Sequence, residues 1–180
     1  MTETQYYVAA SIDGFIADRD NRLDWLMQFG FDDFMADYEE FLAEVGVVVM
    51  GSRTYEFVLG EDATTWAYPD QVTWVLTRRE LPLVPGGDIR MSRGDVTALH
   101  SEWVTAAAGK NIWIVGGGDV AAQVADAGLL DEILLTTMPV VLGAGTPLLP
   151  IARVSPVLRA TGTRLLEPSG AVSTTYTLPH

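Results

Sequence analysis

The feature that most constrains the fold is a repeated unit in which a short apolar run ends in a glycine-containing turn. Val47–Met50 leads into Gly51–Thr54, and Asn111–Val115 leads into Gly116–Gly118. Near-continuous apolar runs of this length are typical of strands that are buried on both faces of a parallel sheet. Because stretches with helical spacing lie between such runs, the sequence predicts an α/β fold.

The remaining runs predict the rest of the sheet and its helices. Apolar residues at helical spacing predict a helix over Asp32–Glu44, a short helix follows Gly51, and Asp95 and Asp119 each begin a further helix. The predicted strands are Tyr6–Ala10, Val47–Met50, Val72–Leu76, Asn111–Val115, Glu132–Thr137, Arg153–Leu166 and Ala171–Leu178. We predict one domain over residues 1–180, with a mostly parallel central sheet, an antiparallel C-terminal edge and about four flanking helices.

Composition excludes several classes of function. The 180 residues include no cysteine and only two histidines, which rules out disulfides and thiolate chemistry and argues against a metal site. Eleven basic against 24 acidic residues give a net charge of −13, which disfavours nucleic acid or an anionic membrane as a partner. The N-terminus has no basic and apolar leader, and no apolar run is long enough to span a membrane, so we expect a cytoplasmic protein.

Positive charge is scarce but clustered. Residues 1–50 contain eleven acids and two arginines, whereas five arginines lie between positions 53 and 93. They are Arg53, Arg78, Arg79, Arg90 and Arg93. The guanidinium group is suited to planar, bidentate phosphate recognition, although ordinary surface charge is the alternative explanation.

Three predicted strand ends carry groups that bind anions. Gly51–Thr54 offers two hydroxyls and a guanidinium, Thr77–Arg79 adds a hydroxyl and two guanidiniums, and Gly116–Gly118 allows close backbone approach. Ligands of open α/β sheets gather at the carboxyl ends of strands, and helix N-termini attract anions. We therefore expect a phosphate-bearing cofactor there. The run Gly116–Ala121 also matches G-x-G-x-x-A, but no acid ends the following strand, as a Rossmann fold requires.

Four segments resemble the dihydrofolate reductase-like superfamily. They are Val8–Ala17, Val49–Glu56, Ile114–Gly118 and Pro139–Leu148. The last is similar to the riboflavin-pathway branch in particular, that is, to the reductase domain of the bifunctional deaminase–reductase and to its stand-alone bacterial relatives. The matches keep the family's order and spacing, and they imply that fold with NADPH as the cofactor.

The resemblance implies a cofactor site residue by residue. Ala9 and Ile16 would offer backbone groups to the nicotinamide, Thr77 and Arg78 would meet the 2′-phosphate, and Gly116–Gly117 would be a cis peptide. The implied cofactor-binding residues are Ala9, Ile16, Gly51, Ser52, Arg53, Thr54, Leu76, Thr77, Arg78, Gly116, Gly117, Gly118, Asp119 and Val120.

The catalytic residues follow the family less closely. The resemblance implies that Thr136 faces the substrate. Dihydrofolate reductase has a single carboxylate on its first helix, but this helix carries Asp32, Asp33 and Asp37, and the distance from Trp25 to Gly51 is longer than the family spacing. Helical geometry places Asp37 nearest the apolar face and Asp33 second, so we expect a shielded carboxyl that donates a proton. The alternative is that these are solvated helix acids.

Together these features predict an NADPH-dependent reductase that transfers hydride to a heterocyclic or imine-type small molecule. The resemblance favours an activity similar to 5-amino-6-(5-phosphoribosylamino)uracil reductase. Two alternatives stay open, namely reduction of dihydrofolate and a non-catalytic NADP-binding regulatory module. A homodimer is expected from the resemblance only.

Overall fold

Ten strands and five helices lie in residues 1–60 and 64–179, which the computed structural model describes. The strands are β1 (Thr4–Ser11), β2 (Phe15–Ala17), β3 (Val45–Gly51), β4 (Val72–Leu76), β5 (Asp88–Ser92), β6 (Asn111–Gly116), β7 (Glu132–Met138), β8 (Thr146–Pro147), β9 (Arg159–Leu166) and β10 (Ala171–Thr177). The helices are α1 (Asp24–Met27), α2 (Met35–Ala43), α3 (Ser52–Leu59), α4 (Val96–Ala107) and α5 (Gly118–Asp126).

Eight of the strands form one sheet in the order β5-β4-β3-β6-β1-β7-β10-β9. The six neighbouring strands β5, β4, β3, β6, β1 and β7 run parallel to one another. Strand β10 pairs antiparallel with both β7 and β9. In the register of the central strands, Thr136 of β7 lies between Ala9 of β1 and Ser173 of β10. The prediction of a mostly parallel sheet with an antiparallel C-terminal edge is confirmed.

Both faces of the sheet are covered because its central strands are apolar on both sides. Val47 and Val49 pack on the side of α4 and α5, and Val48 and Met50 pack on the side of α2 and α3, as the period of two requires. All four side chains are fully buried. Trp113 lies in the core on the side of α2 and α3. Its ring meets the rings of Tyr38 and Phe41 of α2 edge to face.

The differences from the prediction have local causes. Strand β5 was missed because it is a short sheet edge with only two apolar side chains, Ile89 and Met91. Strands β2 and β8 were not predicted either; both are very short, and they form a two-stranded sheet of their own. The single turn α1 was also not predicted and makes five helices instead of four. Helix α2 begins at Met35 rather than at Asp32. The residues before it form a turn, in which the carboxylate of Asp33 accepts a hydrogen bond from the backbone N–H of Ser169. Strand β9 begins at Arg159 rather than Arg153.

Helix length is the remaining point about the architecture. Within residues 1–60 and 64–179, no helix is both long enough and apolar enough to cross a membrane. The helices instead frame the carboxyl ends of β1, β3, β4 and β6, and these strand ends carry the residues singled out by the sequence.

Candidate functional site

The three predicted anion-binding turns lie side by side, because β4, β3 and β6 are neighbouring parallel strands. They border a cleft of about 490 Å³, which we call the basic cleft. Its lining residues are Gly51, Ser52, Arg53, Thr54, Leu76, Thr77, Arg78, Arg79, Ser92, Arg93, Gly94, Gly117, Asp119, Val120 and Gln123. Ten of the fourteen cofactor-binding residues that the resemblance implies are among them.

Two helices point their N-termini at the basic cleft. Helix α3 follows Gly51 and helix α5 follows Gly117, and neither of these capping residues has a side chain that could bind the free N–H groups. The first N–H groups of a helix lack partners within the helix, and together with the helix dipole they attract anions. The cleft therefore offers backbone donors for phosphate from two sides.

Arginine side chains give the basic cleft its charge. Arg79 forms a bidentate pair with Glu56, with nitrogen–oxygen distances of 3.0 and 2.6 Å. Arg53, Arg78 and Arg93 take part in no salt bridge within the part of the chain that the structure describes. Among the residues that the structure describes, Asp119 is the one acid that lines the cleft. Three guanidiniums without a salt bridge among the described residues, in an otherwise acidic protein, make this cleft an electrostatic site for an anion.

A second cavity, of about 300 Å³, continues the basic cleft across the end of β1. The two share Arg53, Thr54, Gly117 and Asp119. The second cavity also brings together the remaining predicted cofactor residues, which are Ala9, Ile16, Gly116 and Gly118. The peptide bond between Gly116 and Gly117 is cis, which confirms that expectation.

The glycines of this turn differ in what surrounds them. A Cβ on Gly118 would lie 2.3 Å from the carbonyl oxygen of Pro147, and one on Gly116 would lie 3.0 Å from Thr54 Oγ1. A Cβ on Gly117 would meet nothing within 4 Å. Gly116 and Gly118 are therefore required by close packing, whereas Gly117 presents bare backbone to the open groove.

A third cavity, of about 170 Å³, opens from the second along β1; we call it the ring cavity. Its walls include Phe31, Phe34, Trp113 and Met138, and none of its lining residues is charged. Thr136, only 5% exposed, is part of the wall as predicted. The size and aromatic walls suit a planar, uncharged ring.

Tyr7 is a residue of this region that the sequence analysis missed. It lines both the second cavity and the ring cavity, and burial raises the pKa of its phenol, so the hydroxyl stays protonated. Tyr7 and Ala9 are two residues apart on β1 and so share one face of the sheet. That alternation is the signal that could have identified it. Ser92 of the basic cleft was missed because β5 was. Arg93 follows β5 and belongs to the arginine cluster that the sequence singled out.

The two predicted proton donors lie at the edge of the site. Asp33 accepts a hydrogen bond of 2.9 Å from the backbone N–H of Ser169, and Asp37 forms an ion pair with Arg164 of β9. The expectation that Asp37 is shielded was wrong, because its side chain remains 36% exposed. The β9–β10 hairpin holds both carboxylates, Asp33 through its turn and Asp37 through strand β9. Neither one lines the ring cavity.

The sheet order and the arrangement of the helices around it are those of a dihydrofolate reductase-like fold. A crystal structure of dihydrofolate reductase from Enterococcus faecalis, complexed with NADP(H) and RAB-propyl, superposes with a TM-score of 0.64 at 17% identity, covering 99% of this chain and 97% of that one. At this identity the likeness concerns the fold, and it confirms the fold that the resemblance implied.

The chain belongs to the RibD C-terminal domain family, whose sequence model matches residues 4–168. It is 32% identical over 170 residues to the uncharacterized protein YwjB of Bacillus subtilis, covering 90% of this chain and 91% of that protein. A putative riboflavin biosynthesis protein from Shewanella sp. PV-4 has the same fold, with a TM-score of 0.83 and 24% identity over 99% of this chain and 100% of that one. The expected riboflavin-type branch is thereby confirmed.

Proposed function

We propose that this protein is an NADPH-dependent reductase that transfers hydride to a heterocyclic or imine-type small molecule, similar to the aminouracil reductase of the riboflavin pathway. One observation carries the proposal. The basic cleft, the second cavity and the ring cavity form a single groove, since each shares lining residues with the next. The groove runs from a phosphate-type site to an aromatic site, which is the arrangement that an extended dinucleotide and a planar substrate need.

The basic cleft fits the phosphate end of NADPH. The N-termini of α3 and α5 offer N–H groups to the pyrophosphate, with Ser52, Arg53 and Thr54 beside them. Thr77 and Arg78 follow β4, at the far side of the cleft, and there we place the 2′-phosphate. Because NADH lacks that phosphate, the unpaired Arg78 guanidinium is expected to favour NADPH.

The second cavity fits the nicotinamide end. The backbone groups of Ala9 and Ile16 border it and are available to hold a carboxamide, and the bare backbone of Gly117 leaves room for the ribose and pyrophosphate. When bound there, the reduced nicotinamide supplies hydride. The protein's contribution is to hold the two rings face to face and to keep water away from them.

The ring cavity fits the substrate. Its apolar walls orient a planar ring, while the hydroxyls of Tyr7 and Thr136 offer hydrogen bonds to ring nitrogens or carbonyls. No cation of the described part of the chain lines this cavity, so a substrate phosphate would have to lie outside it. This restricts the reacting part of the substrate to an uncharged heterocycle or imine.

Proton supply is assigned to the neighbouring acids. Asp37 and Thr136 line one groove beside the ring cavity, which makes Asp37 the first candidate and Asp33 the second. Asp37→Asn is expected to slow reduction more than Asp33→Asn does. If the two variants reduce substrate at the wild-type rate, the proton comes from water and this assignment fails.

The experiment that tests the proposal is NADPH titration followed by a turnover assay. Binding is measured from nicotinamide fluorescence, and oxidation is followed at the nicotinamide absorbance band with the aminouracil substrate, dihydrofolate and flavin in turn. Saturable binding with oxidation by the aminouracil substrate supports the proposal, and oxidation by dihydrofolate alone would establish folate reduction instead. Binding without oxidation by any of them would favour the regulatory module. Absence of NADPH binding would refute the proposal.

A further inference from the structure

The loop that follows β7 forms part of the wall of the second cavity. It comprises residues 139–148 and contains the short strand β8; we call it the 139–148 loop. Strand β8 pairs antiparallel with β2, where Ala17 lies opposite Thr146. Ile16, Ala17 and Thr146 all line the second cavity. The wall of the proposed nicotinamide site therefore consists in part of these two paired strands.

Strands β2 and β8 are too short to hold each other in place alone. They contain three and two residues, respectively, and they form a sheet of two strands. An isolated two-stranded sheet is at best marginally stable in water, even when its strands are longer. The position of this cavity wall must therefore depend on other contacts of the 139–148 loop.

Asp13 makes such a contact with the tip of the loop. Its Oδ1 accepts a hydrogen bond of 3.0 Å from the Leu142 N–H, and its Oδ2 accepts one of 2.7 Å from the Gly143 N–H. Two successive backbone N–H groups thus converge on one carboxylate. Hydrogen bonds to an ionised acceptor are stronger than those between neutral groups, so this is a firm attachment for a loop at the surface.

The carboxylate of Asp13 is also held from the side of β1. Ser11 Oγ donates a hydrogen bond of 2.7 Å to Asp13 Oδ1 and accepts one of 3.0 Å from the N–H of Phe15, the first residue of β2. Ser11 is buried, so this part of the link is rigid. Asp13 therefore joins three elements, namely the end of β1, the beginning of β2 and the tip of the 139–148 loop.

Backbone contacts hold the loop on either side of its tip. The Ile12 N–H donates a hydrogen bond of 2.8 Å to the Val140 carbonyl oxygen, and the Leu148 N–H donates one of 2.9 Å to the Gly14 carbonyl oxygen. The Leu148 carbonyl oxygen in turn accepts a hydrogen bond of 3.0 Å from the buried hydroxyl group of Tyr6. These contacts fix where the loop starts and where it returns, while Asp13 fixes the segment between them.

We propose that Asp13 is a positioning residue for the nicotinamide end of the cofactor. Its carboxylate holds the 139–148 loop against β2, and the loop holds Ile16, Ala17 and Thr146 in place at the wall of the second cavity. Asp13 lines none of the three cavities of the groove, so it acts through the loop and not by touching the cofactor. This role rests on the proposed function, which assigns the second cavity to the nicotinamide.

The test compares two ligands of the full chain by titration calorimetry. NADPH spans the groove, whereas adenosine 2′,5′-bisphosphate has phosphates but no nicotinamide and would occupy the basic cleft alone. Asp13→Ala removes both hydrogen bonds to the tip of the loop, so the binding-competent position of the loop should become a minor state. We expect NADPH to bind about fivefold or more weakly to this variant, and adenosine 2′,5′-bisphosphate to change less than about twofold.

The difference between the two ligands separates positioning from general damage to the fold. An equal loss of affinity for both ligands would overturn the inference, and so would an unchanged affinity for NADPH. In either case NADPH binding by the wild type would leave the proposed function standing. If the wild type bound neither ligand, the proposed function would fail and this inference with it.

Asp126→Ala is the matched control. Both carboxylate oxygens of Asp126 accept hydrogen bonds from the backbone N–H of Ala152, at 3.1 and 3.0 Å, so this variant also detaches a loop from a carboxylate. Asp126 lies outside the three cavities of the groove, and we expect its replacement to change NADPH affinity less than about twofold. A loss as large as that of Asp13→Ala would contradict a specific role for Asp13.

Asp13→Asn decides the question if the alanine variant does not fold. The amide keeps the shape of the side chain but has one acceptor oxygen, so it can serve only part of the loop. We expect the same difference between the two ligands at a smaller size, with NADPH weakened about threefold. Hydrogen exchange should also be faster than in the wild type in β2 and in residues 142–148, and unchanged in α3. Wild-type exchange rates in β2 and in residues 142–148 would contradict the inference.

Discussion

Replacing Arg78 by alanine should change which nicotinamide cofactor the protein prefers. The side chain is exposed at the edge of the basic cleft and takes part in no salt bridge within the described residues, so its charge is free to meet a phosphate. A charge-assisted hydrogen bond contributes about 1.5–3 kcal/mol, and solvent exposure places this one at the low end. Arg78→Ala should therefore weaken NADPH binding about tenfold.

The same change should leave NADH almost unaffected, by less than about twofold, because NADH has no 2′-phosphate for Arg78 to contact. Arg53→Ala should weaken both cofactors, since we place Arg53 beside phosphates that both contain. Arg159→Ala is the matched control, because it removes the same charge from β9, outside the cleft. Fluorescence titrations with both cofactors measure these affinities. An equal loss for NADPH and NADH in Arg78→Ala, or no loss for either, would refute the placement of the 2′-phosphate.

Three further variants test other parts of the structure. Gly118→Ala brings a Cβ to 2.3 Å from the Pro147 carbonyl oxygen, so thermal unfolding should show a loss of about 1–3 kcal/mol in stability. An unchanged melting temperature would show that the close contact does not exist. Asp37→Asn should lower the single-turnover rate of hydride transfer about tenfold or more at unchanged NADPH affinity, whereas a wild-type rate would remove it from proton supply. Hydrogen bonds, first of all from the Leu142 N–H, lower the pKa of Asp13 from its ordinary value of 3.8. The ionised Asp13 therefore stabilises the fold fully above pH 3.8, and this stabilisation is lost as the pH falls through the lowered pKa. Denaturant titrations at pH 7 and pH 3 should then show a smaller pH dependence for Asp13→Asn than for the wild type, and equal dependence would contradict this.

The fold was predictable where burial determines the pattern. Val47–Met50 and the strand that begins at Asn111 are apolar on both faces, a pattern that is typical of a central parallel strand. Strand β5 was not predictable in the same way, because it is held by backbone pairing to β4 at an exposed edge. In its sequence only two apolar side chains, Ile89 and Met91, alternate with Asp88, Arg90 and Ser92, and a pattern this short is a weak signal for a strand.

The cofactor end of the site was also predictable, because glycine, hydroxyl and arginine residues follow directly after strands along the chain. The substrate end was not. Asp37 meets Arg164 across 127 positions of sequence, and a helical count cannot show which strand a carboxylate will face. A cavity of about 340 Å³ likewise joins Gln5 with residues of α2 and β10 that only the sheet topology brings together. Contacts of this kind depend on tertiary packing rather than on local pattern.

The most direct test of the central claim is a crystal structure of the protein grown with NADP⁺. We predict that the 2′-phosphate lies against Thr77 and Arg78, that the pyrophosphate lies against the N-termini of α3 and α5, and that the carboxamide bonds to the backbone of Ala9 and Ile16. A cofactor bound in the reverse direction, or outside the groove that these residues line, would contradict the account.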